Sequence, residues 1–156
     1  DFDVDSTYES IEEPITKPGD VWILGKHRLM CGNSTQKEDV MCLMDNKYAD
    51  MILTDPPYNV DYVGKTVDAL KIANDNMNDS QFYDFLKQAF VNMFEVTREG
   101  ASIYVFHADT EGLNFRKAFK EAGFKLAECL IWKKDCFVMG RQDYHMNRYC
   151  MDGRKG

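Results

Sequence analysis

The chain has 156 residues, enough for one domain with a core of its own. Hydrophobic residues make up 44% and aromatic residues 13%, a composition that excludes a disordered chain. The net charge of −7, with no lysine-rich stripe, is the reverse of the electrostatic footprint of a duplex-binding surface. No run has the length and apolarity of a transmembrane helix and no basic-then-apolar leader is expected, so no membrane partner is expected. The five cysteines, at 31, 42, 129, 136 and 150, are odd in number and show no CxxC spacing. They predict neither a zinc site nor a disulfide framework, and fit a reducing cytoplasm.

Residues 1–18 are acidic and polar with prolines at 14 and 18, and read as a tail or linker. Val21–Leu24 and Arg28–Cys31 flank Gly25-Lys26-His27 and predict a short hairpin. Gly32-Asn33-Ser34 turns the chain, and Ser34 or Thr35 is placed to cap a helix whose apolar face is Val40, Leu43 and Met44. Ala49–Thr54 is a strand, and its run Met51-Ile52-Leu53-Thr54 reads as a buried parallel one. Residues 59–78 form a long polar loop, expected to be functional or partly disordered. Asp79 or Ser80 then caps a helix running to about Thr97, with Phe82, Phe85, Leu86, Ala89, Phe90, Met93 and Phe94 as its apolar stripe. Such an aromatic stripe is core rather than a cofactor box. Gly100 closes this region, Ser102–His107 is a strand, and Thr110–Ala122 is a helix with Asp109 and Thr110 at its start. Gly123 stops it before the strand Phe124–Trp132. Strands alternating with helices predict an α/β domain with a mostly parallel sheet and helices on both faces.

Asp55-Pro56-Pro57-Tyr58 carries the chemistry. A carboxylate at the carboxyl end of a parallel strand sits where open α/β sheets bind ligands. Two prolines fix a rigid, extended turn, and both keep their carbonyls as acceptors. Tyr58 adds a flat face. An acceptor carboxylate, an acceptor carbonyl and an aromatic plate suit a planar amine that must be held and made nucleophilic. The histidines at 27, 107 and 145 have no metal-ligand spacing, so no metal is expected.

Leu53-Thr54-Asp55-Pro56-Pro57-Tyr58-Asn59 resembles the catalytic motif of amino-group DNA methyltransferases, which methylate adenine-N6 or cytosine-N4. Residues 19–25 (GDVWILG), 27–32 (HRLMCG), Asn74-Asp75, 104–112 (YVFHADTEG) and 138–145 (VMGRQDYH) resemble phage and prophage members. The resemblance covers roughly 19–145 and implies the Rossmann-like fold of S-adenosylmethionine-dependent methyltransferases, in a bacterial or phage-infected cell. It assigns Asp55, Pro56, Pro57 and Tyr58 to catalysis, Asn33 and Asp55 to the cofactor, and Tyr58, Asn59 and Asp75 to the substrate base. Asn33 stands where the family more often has Asp. Residues 141–145 match a stretch that the family allows near substrate.

Adenine's exocyclic nitrogen is a poor nucleophile because its lone pair is delocalised into the ring. Acceptors for both amine hydrogens favour the tetrahedral nitrogen that attacks the sulfonium methyl. Asp55 would accept one hydrogen and the Pro56 or Pro57 carbonyl the other. Neither partner fits inside a duplex, so the base must flip out and stack on Tyr58.

Two family features are missing. No Gly-x-Gly, the signature of the loop under the cofactor, occurs in the chain, and no target-recognition segment supplies cations. DNA contacts are thus confined to a small surface or lie elsewhere, and little methyl transfer and weak DNA affinity are expected of the chain alone. Residues 146–156 also depart from the family, which continues with a stretch like Glu-Pro-x-Leu-Tyr-Gly-Trp-Lys. Read two bases later, Met146-Asn147 gives Glu, Tyr149-Cys150 gives Leu and Met151-Asp152 gives Gly, whatever the codons. Residues 146–156 are therefore expected to be out-of-frame sequence after a shortened methylase segment; the gene sequence decides it. Truncation would expose apolar surface suited to a homodimer.

Adenine is the favoured target, because cytosine-N4 enzymes more often carry Ser before the prolines. Methylation of another planar amine, and an inactive remnant that only binds a partner, stay open as alternatives.

Overall fold

A computed structural model describes residues 13, 15–61, 71–72, 74–139 and 144–154; beyond 132 only the backbone is described. A small antiparallel hairpin comes first, formed by β1 (Val21–Leu24) and β2 (His27–Met30). Next come α1 (Lys37–Met44), β3 (Ala49–Thr54), α2 (Asp79–Glu95) and β4 (Thr97–His107). A 3-10 turn at Asp109–Glu111 leads into α3 (Gly112–Glu121), followed by β5 (Lys125–Met139) and β6 (Tyr144–Arg154).

The main sheet has the order β3-β4-β6-β5. β3 pairs parallel with β4, while β6 is antiparallel to both β4 and β5. It follows that β3, β4 and β5 all run in one direction and β6 alone is reversed. The reversal follows from connectivity, since the short link between β5 and β6 permits a hairpin but not a crossover. Residues 146–156, expected as a tail, contribute most of β6 up to Arg154.

The core lies on one face of this sheet. Ile103 and Val105 of β4 point alike, two residues apart, and meet Phe82, Leu86 and Phe90 of α2 and Phe115, Ala118 and Phe119 of α3. Ile52 of β3 packs against the same cluster. The expectation of helices on both faces therefore holds for one face only among the described residues. On the other face Leu53, Tyr104, Phe106 and Trp132 border a shallow apolar hollow, and Leu53 is 63% exposed. The apolar run in β3 thus correctly predicts a parallel strand, but one covered on a single face.

Several boundaries shift from those the sequence predicts. Asn78 rather than Asp79 or Ser80 caps α2, its Oδ1 accepting from the Gln81 N–H at 3.0 Å. β4 begins at Thr97 and absorbs Gly100 (φ +76°), where its register against β3 slips. At the end of α3, Gly123 (φ +108°) lies against the Phe94 ring, 3.0 Å from where a Cβ would stand. Its φ strains any other residue there, and an added Cβ would press on the Phe94 ring. Arg28 of β2 reaches the open carbonyls at the end of α1, donating to Leu43 at 2.8 Å and Cys42 at 3.0 Å. Buried Asn92 of α2 donates to the Ser34 carbonyl at 2.9 Å, which ties the turn after β2 to the core.

His107 closes β4, fully buried against the Phe115 ring at 5.3 Å, with Nδ1 donating to the Ala108 carbonyl at 3.1 Å. Loss of solvation lowers its imidazole below the ordinary value of 6.5, Arg116 adds to that, and the Ala108 bond and Asp109 oppose it. The folded side chain therefore stays neutral where the unfolded one would take a proton. Its contribution to stability is complete above pH 6.5 and falls as the pH drops from there toward the lowered folded value. Urea midpoints measured across that window should fall on the acid side, and His107→Gln should flatten the slope. An unchanged slope in the variant would assign the effect to another group.

Candidate active site

β3 ends at Thr54, so Asp55 leaves the carboxyl end of a parallel strand, as its position in the sequence predicts. Asp55, Pro56, Pro57 and Tyr58 line a cleft of about 400 Å³ together with Val60, Ile72 and Asp75. Asp55 is exposed there and Tyr58 is half-buried, so both are within reach of a ligand. The Tyr58 hydroxyl donates to Asp55 Oδ1, which turns the ring and carboxylate toward one another.

Backbone bonds fix the turn. Asp75, 2% exposed, accepts with Oδ1 from the N–H groups of Tyr58 at 3.0 Å and Val60 at 3.3 Å. Its carbonyl accepts from the Asp61 N–H at 2.7 Å. Asn59 has φ +58°, a conformation Asn tolerates better than most residues. Its side chain pairs with the backbone of Met77 in both directions, donating to the carbonyl at 3.0 Å and accepting from the N–H at 2.6 Å. The remaining Asn59 N–H points to Glu111 Oε1 at 3.2 Å. Asp75 and Asn59, named from the sequence as base-binding residues, thus bond the backbone on which the cleft is built.

Glu111 and Asn114 are the residues that sequence reasoning missed. Asn114 donates to Glu111 Oε2 at 2.9 Å and to Asp79 Oδ1 at 2.7 Å, joining the start of α3 to the start of α2. The available signal was the segment 104–112, singled out by resemblance but given no role. Asp109 and Thr110 of that segment form the 3-10 turn that presents Glu111.

Asn33 does not join this cleft. It borders a separate hollow of about 210 Å³ with Met30, Gly32 and Asp39. Its N–H donates to Asp39 Oδ2 at 2.7 Å, and its side-chain oxygen accepts from Thr35 N at 3.0 Å and Thr35 Oγ1 at 2.8 Å. Asn33 and Asp55 thus line two different hollows. Residues 141–143 and most of the 59–78 loop's middle lie outside the described residues. Among those described, no group of three His, Cys, Asp or Glu side chains could hold a metal ion, and no helix is long and apolar enough to cross a membrane.

The cleft is lined by an exposed carboxylate, two prolines that carry no N–H of their own, and a phenol ring, a set poorer in donors than in acceptors. That set suits a neutral planar amine on which positive charge develops. The same acidity disfavours phosphates close by.

Residues 49–150 match the protein family described as DNA methylase. No curated protein matches the chain. Among solved structures, TTHA0409, a putative DNA modification methylase of Thermus thermophilus, superposes with a TM-score of 0.54. The identity is 18%, over 80% of this chain and 52% of that one, and the likeness shows the fold. The M1.HpyAVI–SAM complex gives a TM-score of 0.47 at 14% identity, over 71% of this chain and 46% of that one. The chain spans about half the length of these solved structures.

Proposed function

The chain belongs to the N6/N4 DNA methylase family, and from that premise we propose that its Asp55–Tyr58 cleft receives the exocyclic amine of a flipped adenine for methylation at N6. The observation that carries this reading is that an exposed aspartate, two prolines and a tyrosine line one cleft at the carboxyl end of a parallel strand. Asp55 accepts one amine hydrogen and the Pro56 or Pro57 carbonyl the other, drawing the nitrogen toward a tetrahedral, nucleophilic form. Tyr58 stacks on the base, a contact worth about 1–3 kcal/mol. When bound, S-adenosylmethionine supplies the methyl group. The proposed partner is DNA, held weakly by a chain of net charge −7, in the cytoplasm of a bacterial or phage-infected cell.

The test is nucleoside mass spectrometry after incubating the chain with deuteromethyl S-adenosylmethionine and unmethylated duplex DNA. The expected product is N6-methyladenine at low yield. N4-methylcytosine would move the target to cytosine. No labelled base at high protein concentration would favour the remnant reading, in which the open apolar face of the sheet serves only to associate, for instance as a homodimer.

A further inference from the structure

We propose that Glu111 is a positioning residue for the target cleft, acting through Asn59 on the turn that carries Asp55 and Tyr58. This rests on the amine-binding reading of that cleft. Asn59 directly follows the catalytic turn and holds a left-handed φ, so its conformation sets the direction in which the chain leaves Tyr58. An amide side chain has two N–H groups and one carbonyl oxygen. Met77 engages one N–H and the oxygen; Glu111 takes the other N–H. Glu111 is an acceptor-only group here, with Oε1 on Asn59 and Oε2 on Asn114. It reinforces the flip state of Asn59 that the Met77 backbone also favours, because the flipped amide would turn its oxygen toward the carboxylate and its N–H groups toward the Met77 N–H. The choice is electrostatic, and a charged acceptor enforces it more strongly than a neutral one.

The segment that presents Glu111 comes from the far end of β4, 52 residues along the chain from Asn59. The contact therefore couples the β3 turn to the β4 end of the sheet, and through Asn114 to Asp79 at the start of α2. Asp75 secures the same turn from its other side. Removing Glu111 should leave the Asp75 contacts in place and leave Asn59 held by the Met77 backbone alone, its amide less firmly fixed.

The decisive measurement is amide hydrogen exchange by NMR on the chain, comparing wild type, Glu111→Ala, Glu111→Gln and a Glu121→Ala control at the far end of α3. Met77 N–H, which donates to Asn59 Oδ1, reports the orientation of Asn59 directly. In Glu111→Ala it should exchange about ten- to a hundredfold faster, the loss of one charge-assisted bond. Gln81 N–H, held by Asn78, should not change. Glu111→Gln keeps one carbonyl acceptor for two donors and should fall between, with a shifted Asn59 side-chain amide resonance. It also keeps the proposal falsifiable should the alanine variant fail to fold. The control should leave Met77 unaffected. Unchanged Met77 exchange and an unchanged Asn59 resonance in both Glu111 variants would overturn the proposal. Methyl-transfer rates on the same samples test the reading beneath it. Altered exchange with no transfer in wild type keeps the positioning role and removes the enzyme; transfer that survives loss of Met77 protection shows that Asn59 does not position the reacting groups.

Discussion

Phe90→Ala should destabilise the chain by about 3–5 kcal/mol, the usual cost of emptying a fully buried phenylalanine site. Phe90 is entirely excluded from solvent and is held edge-on by Phe119 at 5.6 Å and by the tilted Phe115 ring at 6.5 Å. These rings belong to α3, while Phe90 belongs to α2, so the site is walled by two rigid elements and cannot easily collapse on a void. Domains of this size hold only about 5–15 kcal/mol in total, so the loss is a large fraction of stability. Differential scanning calorimetry should show a midpoint lower by about 6–20 °C, given about 2–4 °C per kcal/mol at this chain length. Leu113→Ala, on the same helix as Phe115 but 81% exposed, should stay within about 0.5 kcal/mol of wild type. A Phe90→Ala midpoint as high as that of Leu113→Ala would mean that the α2–α3 contact is not the core.

That core was legible because it rests on one period. Phe82, Leu86, Ala89 and Phe90 repeat at helical spacing, and each is buried. The Asp55–Tyr58 turn was legible for a different reason: a strand-like apolar run meeting two prolines allows few conformations. What could not be read was anything set by contacts between distant segments. The position of β6 between β4 and β5 depends on long-range pairing, and its sequence, Tyr144–Arg154, carries no alternation that marks a central strand. The open second face of the sheet was equally hidden, since Leu53 and Tyr104 look like buried strand residues until their missing cover is seen. Glu111 escaped because its partner is 52 residues away. Asn59 and Asp75 were found by resemblance, but their bonds to backbone became visible only when the 58–61 and 75–77 segments were seen side by side.

Asp55→Ala should lower methyl incorporation by about 10²–10³-fold, the scale seen when one preorganised polar contact to a developing charge is removed. The carboxylate is exposed, so its loss leaves no buried cavity, and the thermal midpoint should stay close to wild type. A drop in rate then reports chemistry rather than folding. Asp55→Asn keeps one carbonyl acceptor for the amine hydrogen but loses the negative charge that balances the forming cation, and should fall between wild type and alanine. Tyr58 separates two contributions. Tyr58→Phe removes the hydroxyl that donates to Asp55 and keeps the stacking face, so transfer should persist. Tyr58→Ala removes the face as well, and should weaken base capture by about 1–3 kcal/mol. Tritiated methyl incorporation into unmethylated duplex DNA ranks the four variants. Wild-type rates in Asp55→Ala, or a Tyr58→Phe defect as deep as that of Tyr58→Ala, would contradict amine capture by this carboxylate and stacking by this ring. If Asp55 holds the amine, the order must run wild type, asparagine, alanine, because each step removes one more of the interactions that draw the nitrogen out of conjugation with its ring.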